Sequence, residues 1–126
     1  MRNHIACFDV CKQACFAINT LLNKNLNFCK ELSNIGAIET ICLVAREWDD
    51  ELLLQVALSC LASLATPDTG HGAAMATMSI DSLVIKALQQ GNGCRRAAII
   101  TLCNMTLNAD NIPAVRRCCP FIINLL

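Results

Sequence analysis

Apolar residues recur every three or four positions along most of the chain, most clearly in residues 36–65 (GAIETICLVAREWDDELLLQVALSCLASLA). This spacing predicts two amphipathic helices, each with one apolar face to bury. The apolar positions are Ile38, Ile41, Leu43 and Val44 in the first helix, and Leu53, Leu54, Ala57, Leu58, Leu61, Leu64 and Ala65 in the second. Residues 47–51 carry four carboxylates, which predicts a solvated turn in which Asp49 or Asp50 caps the second helix.

The same spacing predicts further helices at residues 5–22, 26–32, 80–90, 94–107 and 112–119. Gly36 stands where a sharp turn between helices favours a positive φ, and Ser79 is placed to cap the helix at residue 80. Residues 91–93 (GNG) are predicted to end that helix, and Pro120 to open a separate apolar segment. Residues 66–72 (TPDTGHG) are predicted to form a loop because Pro and Gly disfavour helix interiors.

A repeat emerges when the predicted helices are compared with one another. Ile18 and Leu61 hold matching positions 43 residues apart, and Leu61 and Leu102 hold the same position 41 residues apart. The period of about 42 residues contains a short helix, a helix and a longer third helix. This length and composition are typical of armadillo and HEAT solenoids, whereas tetratricopeptide and ankyrin repeats are shorter.

Three stretches resemble the armadillo repeat, whose units read roughly AGAI-x-x-L-V and later A-x-x-A-L-x-N-L. They are Asn34-Ile35-Gly36-Ala37-Ile38 followed by Leu43-Val44, then Ala57-Leu58-Ser59-Cys60-Leu61-Ala62-Ser63-Leu64-Ala65, and Ala98-Ile99-Ile100-Thr101-Leu102-Cys103-Asn104-Met105. The resemblance implies an all-α fold of one domain, an armadillo/HEAT-like right-handed α-solenoid. Two full repeats (residues 25–65 and 66–108) would lie between partial repeats at residues 1–24 and 109–126.

The resemblance also implies a function, because the third helices of armadillo proteins line a concave groove that binds extended peptides. An asparagine often holds the peptide backbone there, and its position falls on Thr20, Ser63 and Asn104. Two further rows, each four residues earlier, complete the predicted groove: Lys12, Gln55 and Arg96, and Phe16, Ser59 and Ile100. Because these rows hold two cations and no carboxylate, the predicted partner is a protein or extended peptide segment with acidic side chains.

Composition excludes several other kinds of partner. Of the 126 residues, 55% are apolar, and ten basic residues balance ten acidic ones. The chain can therefore build a core, and no whole-chain charge would draw it to nucleic acid or to a membrane surface. No apolar run approaches the roughly 18 residues that suggest a membrane span. The first residues lack the features of a secretory signal, which predicts a cytoplasmic location with the nucleus as the alternative.

Ten cysteines would suggest disulfides in a short secreted chain. Here they lie in Leu-rich helical surroundings, so we interpret them as reduced, buried and mostly inert thiols. Cys7, Cys11 and Cys15 are spaced to share one helix face. The alternative is a zinc site formed by His4, Cys7 and Cys11, although paired CxxC elements are missing from the sequence.

The sequence contains no catalytic pair, no phosphate-binding glycine loop and no spaced set of oxygen ligands for a metal. We therefore predict a chain that is not an enzyme and needs no cofactor. Its predicted function is that of a non-catalytic protein-interaction scaffold, with further repeats of a parent chain as neighbours. Two alternatives stay open at this point: the solenoid arm of a larger co-chaperone or assembly factor, and a cysteine-based metal or redox module.

Overall fold

A computed structural model of the chain describes residues 7–24, 27–65 and 79–126. Within these ranges the chain is helical and no residue belongs to a strand, which confirms the all-α prediction. Among the described helices, none is long and apolar enough to cross a membrane. In chain order the helices are α1 (Phe8–Lys24), α2 (Asn27–Asn34), α3 (Ala37–Glu47), α4 (Glu51–Leu64), α5 (Ile80–Leu88), α6 (Asn92–Met105) and α7 (Ile112–Ile123), with a 3-10 turn at Ala109–Asn111.

The hairpin predicted for residues 36–65 is confirmed as α3 and α4. Gly36 has the positive φ (82°) expected of it, which a residue without a Cβ adopts at little cost. At the start of α4, Asp50 Oδ2 accepts a hydrogen bond of 2.8 Å from the Leu53 amide. Asp50 is therefore the cap, while Asp49 lies 3.2 Å from the Lys86 ammonium group.

Replacing Asp50 with alanine is expected to lower the free energy of unfolding by about 1 kcal/mol, because the Leu53 amide would lose its acceptor. The measurement is urea unfolding followed by circular dichroism. Asp49→Ala is the matched control, since its carboxylate is exposed and its loss is expected to cost less than about 0.5 kcal/mol. Equal losses in the two variants would contradict the assignment of the cap.

Some predicted helix ends are wrong by a few residues. Helix α1 continues to Lys24 rather than ending at residue 22, and α5 ends at Leu88 rather than residue 90. Ser79 does not cap α5 with its side chain: it has a positive φ of 53° and makes no side-chain cap bond. Instead its carbonyl accepts bonds from the Ser82 amide (3.1 Å) and the Arg46 guanidinium (3.3 Å), so the backbone serves in place of the hydroxyl. The predicted loop at residues 66–72 lies outside the described residues.

The predicted break at residues 91–93 is also shorter than expected, because α6 begins at Asn92 and includes Gly93. Contacts with α4 explain the earlier start. The Gly91 amide donates to the Glu51 carboxylate over 3.0 Å. The amide end of the Gln55 side chain lies over Gly93, so a Cβ added at Gly93 would require that flexible side chain to shift.

Pro120 does not open a new segment, and the predicted short helix at residues 112–119 is part of the longer α7. A proline inside a helix removes the hydrogen bond to the carbonyl four residues earlier, here that of Arg116. Both residues lie on the exposed side of α7, where water can satisfy that carbonyl. The helix therefore continues through the proline to Ile123.

Helix α4 is the centre of the fold and contacts α1, α2, α3, α5 and α6. Its buried residues join those of the neighbouring helices in one continuous apolar core. On one side of that core, α1, α4 and α6 lie side by side and parallel, and we call them the α1–α4–α6 layer. Helices α3, α5 and α7 pack in sequence on the other side, with α2 against α3 and α4.

One hydrogen bond occurs at both junctions within the α1–α4–α6 layer. The Cys60 thiol of α4 donates to the Cys15 carbonyl of α1 over 3.6 Å. Likewise, the Thr101 hydroxyl of α6 donates to the Leu58 carbonyl of α4 over 3.1 Å. The two acceptors lie 43 residues apart and the two donors 41 residues apart, the same separations that relate Ile18, Leu61 and Leu102.

Candidate partner-binding surface

A cavity of about 290 Å³ opens on the α1–α4–α6 layer, and all three helices line it. Each helix contributes residues four positions apart, which places their side chains on one face. The lining consists of Asn19, Asn23, Ser59, Ala62, Ser63, Ala97, Ile100 and Asn104. None of these eight residues carries a charge, so the cavity is neutral, and both polar and apolar side chains line it.

Four of the nine predicted groove residues line this cavity: Ser59, Ser63, Ile100 and Asn104. They come from α4 and α6, where the spacing of four residues predicted a common face. Ile100 is 45% exposed and offers an apolar contact surface at the edge of the cavity. Whether these residues bind a partner remains a prediction.

The predicted residues of α1 do not line the cavity. The Lys12 ammonium lies 5.4 Å from the centre of the Phe8 ring, in a cation–π arrangement. Phe16 packs against the core, and Thr20 is exposed, with its hydroxyl donating to the Phe16 carbonyl. Asn19 lines the cavity in the place predicted for Thr20. Neighbouring residues of a helix point about 100° apart, so an alignment error of one residue predicts a side chain on the wrong side of α1.

The other two predicted residues lie beside the cavity. Gln55 packs over Gly93 at the junction of α4 and α6. Arg96 is exposed on α6, one turn before Ile100. Thus neither of the two predicted cations, Lys12 and Arg96, lines the cavity itself.

Hydrogen bonds direct several polar groups of the cavity toward the helix backbone. The Ser59 hydroxyl donates to the Gln55 carbonyl (3.1 Å), and the Ser63 hydroxyl donates to the Ser59 carbonyl (3.2 Å). The Asn104 amide donates to the Ala62 carbonyl over 2.8 Å and so joins α6 to α4. These bonds engage both hydroxyl hydrogens and one of the two N–H hydrogens of Asn104, and the side-chain oxygens can act as acceptors toward a ligand.

Asn19 adds an acceptor of a different kind. Its Oδ1 atom is buried and makes no hydrogen bond within the described part of the chain. A buried carbonyl oxygen without a donor is unfavourable by about 1–3 kcal/mol, and a ligand N–H group would relieve that penalty. Sequence reasoning missed this residue, although Asn19 and Asn23, four residues apart on one helix face, were a usable signal.

The cysteines lie mostly inside the core, as thiols rather than disulfides. Seven are buried (Cys11, Cys15, Cys29, Cys42, Cys60, Cys94 and Cys118), and three are exposed (Cys7, Cys103 and Cys119). Cys7 is exposed one turn before Cys11, so of the three cysteines predicted to share one helix face only Cys11 and Cys15 are buried. His4 of the alternative zinc site lies outside the described residues, and among the described ones no three potential ligands are grouped to hold a metal.

Burial raises the pKa of the Cys15, Cys42 and Cys118 thiols to about 11. In a native protein at pH 8, a disulfide reagent such as DTNB is therefore expected to react rapidly with Cys7 and the other two exposed thiols only. The seven buried thiols should react only on unfolding. The matched control replaces the three exposed cysteines with serine and should remove the rapid phase; rapid reaction of more than three thiols would contradict the burial.

These raised pKa values also predict how stability changes at alkaline pH. A thiol of the unfolded chain ionises near its ordinary value of 9.0, whereas the three buried ones ionise near 11. The three thiols therefore contribute fully to the free energy of unfolding below pH 9, and this contribution is lost as the pH rises toward 11. The checking measurement is the urea midpoint between pH 8 and pH 11, which should fall steadily above pH 9.

The site thus combines a neutral cavity, oxygen acceptors and one exposed apolar side chain on three parallel helices. This arrangement provides hydrogen-bond acceptors for N–H groups, and its eight lining residues include no acid, base or thiol. Comparisons of the chain with protein-family models, with curated proteins and with solved structures gave no match.

Proposed function

We propose that the chain is a non-catalytic protein-interaction module of armadillo type, which binds an extended peptide segment at the cavity of the α1–α4–α6 layer. The observation that carries the proposal is the cavity itself, with polar side chains from three parallel helices around it. The solenoid architecture is supported by the recurring bonds from Cys60 to Cys15 and from Thr101 to Leu58. Both would follow from stacking equivalent third helices.

Recognition would depend on the N–H groups of the peptide backbone. An extended peptide carries one N–H per residue, apart from proline, and the Asn19 side chain at the cavity lining would turn its Oδ1 toward one. Ile100 would contact an apolar side chain of the same segment. A cavity of about 290 Å³ is near the lower limit for ligand pockets, so it holds a short part of the peptide rather than its whole length.

Arg96 and Lys12 would act outside the cavity, on the parts of the peptide that extend beyond it. Exposed ion pairs contribute only about 0.2–1 kcal/mol each. Two such residues would therefore favour acidic side chains and speed association without determining the affinity. Peptides selected by the protein should accordingly be enriched in Asp and Glu, and their association should slow at high salt.

The test is to select binders from a displayed library of random peptides and to measure one of them by fluorescence anisotropy. Asn19→Ala and Ile100→Arg are expected to weaken binding about 10-fold each, corresponding to the loss of one buried bond or apolar contact. Asn34→Ala is the matched control, because Asn34 is exposed on α2 and does not line the cavity. The proposal fails if no peptide is selected, or if the cavity variants bind as well as the parent.

A further inference from the structure

The α1–α4–α6 layer has two outer faces, one on α1 and one on α6, and both are apolar and exposed. On α6, Ile99 (40% exposed), Cys103 and Leu107 follow one another along the helix and just beyond its end. On α1, the large exposed apolar side chains are Val10 and Leu21, at 41% and 44%. The inner junctions of the same layer indicate what such faces can bind.

At the junction of α4 and α6, three residues of α4 meet α6. Gln55 packs over Gly93, and the carbonyls of Leu58 and Ala62 accept bonds from α6. Leu61 and Leu102 hold the same repeat position 41 residues apart. The residues of α6 that lie 41 positions after Gln55, Leu58 and Ala62 are Arg96, Ile99 and Cys103, respectively. These three residues are exposed on the outer face of α6. That face is therefore the counterpart of the α4 face that α6 covers.

The outer face of α1 is related in the same way to the inner face of α6. Leu102 and Ile18 hold the same repeat position 84 residues apart. The residues of α1 that lie 84 positions before Gly93, Cys94 and Thr101 of α6 are Asp9, Val10 and Ala17, respectively. All three counterparts are exposed on α1. The outer face of α6 thus corresponds to the α4 side of the junction between α4 and α6, and the outer face of α1 corresponds to its α6 side.

We infer that these ends bind each other between two copies of the chain, with the outer face of α6 in one copy packed parallel to the outer face of α1 in the next. Because Gln55 faces Gly93 inside the molecule, the same packing would place Arg96 of one copy beside Asp9 of the other. Opposite charges at that point favour the contact between copies. Ile99 and Cys103 would then bury apolar surface against Val10 and Ala17.

This contact joins different surfaces of the two copies, so it can repeat and build open chains of molecules. Its apolar part is separate from the peptide cavity, because Ile99, Cys103 and Val10 do not line that cavity; Arg96 alone belongs to both proposed contacts. The wild-type protein is therefore expected to associate progressively with concentration rather than stop at a dimer. High salt should weaken the association by screening the Arg96–Asp9 attraction.

The decisive experiment is sedimentation velocity on two variants, Ile99→Arg on the α6 face and Val10→Arg on the α1 face. Each variant alone has lost one of the two faces and is expected to remain monomeric. An equal mixture retains one intact face of each kind and should form a heterodimer of twice the monomer mass that grows no further. Leu43→Arg is the control, since Leu43 is 53% exposed on α3, away from both faces, and should associate as the wild type does.

Charge variants provide a second measurement with little effect on the fold. Arg96→Glu and Asp9→Arg should each weaken self-association several-fold, and mixing the two should restore a salt-sensitive contact between them. A wild-type protein that stays monomeric at high concentration would overturn the inference. So would an association that Ile99→Arg abolishes and Val10→Arg leaves intact, because that result would indicate a symmetric contact between two α6 helices.

Discussion

Replacing Leu58 with alanine is expected to lower the free energy of unfolding by about 3 kcal/mol, the middle of the range for a fully buried leucine. The Leu58 side chain is completely buried in α4, the helix that contacts five others. Deleting three of its carbon atoms removes apolar burial and leaves a cavity that α1 and α6 can only partly fill, since they pack against α4 on both sides. The loss is a large share of the 5–15 kcal/mol typical of a whole domain.

The matched control for this prediction is Leu52→Ala, which makes the same chemical change six residues earlier on the same helix. Leu52 is 44% exposed, so its truncation removes little buried surface and is expected to cost less than about 1 kcal/mol. Urea unfolding followed by circular dichroism measures both variants. Similar losses for Leu58 and Leu52 would mean that α4 is not the buried centre of the fold.

Replacing Thr101 with valine is expected to lower the free energy of unfolding by about 2 kcal/mol, the second large effect. The Thr101 hydroxyl is buried and makes bonds of 3.1 Å to the Leu58 carbonyl and 2.8 Å to the Ala97 carbonyl. Valine has nearly the same shape, so the substitution leaves the packing in place and removes the hydroxyl alone. The Leu58 and Ala97 carbonyls would keep only their bonds within the helices, and the loss of the two buried bonds of the hydroxyl costs about 0.5–1.5 kcal/mol each.

Thr20→Val is the control, because the Thr20 hydroxyl makes the same local bond, to the Phe16 carbonyl, on an exposed part of α1. Water can replace that bond, so the change is expected to stay within about 0.5 kcal/mol. The difference between the two variants measures the bond between helices rather than the bond within one helix. If both variants unfold at the same urea concentration, the hydroxyl of Thr101 does not help to join α6 to α4.

The same bond bears on the candidate site, because the junction of α4 and α6 forms one wall of the cavity. Asn104 lies one turn beyond Thr101 and donates to the Ala62 carbonyl. The resemblance to armadillo repeats assigned Asn104 to the peptide, whereas the structure engages its amide hydrogen with a neighbouring helix. Among the described residues that line the cavity, Asn19 has a buried amide oxygen without a hydrogen bond. The peptide contact proposed for the layer therefore rests on α1 more than the alignment indicated.

Local rules were sufficient where a structural feature depends on residues close in sequence. The apolar spacing predicted α3 and α4, Gly36 supplied the positive φ, and Asp50 supplied the cap. Periodicity placed Ser59, Ser63, Ile100 and Asn104 on two helix faces that meet at one cavity. These features follow from helix geometry and hydrogen bonding within a few residues, so the sequence contains the information directly.

The sequence by itself determined the helices, the apolar faces they bury and the composition of the core. The remaining features depended on contacts between segments about 40 residues apart. The bond from the Gly91 amide to the Glu51 carboxylate lies at the start of α6, and the exposure of Arg116 and Pro120 lets α7 continue through a proline. The relative rotation of α1 and α4 selects Asn19 over Thr20 for the cavity. Such features were decided only by the tertiary structure, because they depend on the rotation and distance of packed helices, which the apolar spacing of one helix leaves undetermined.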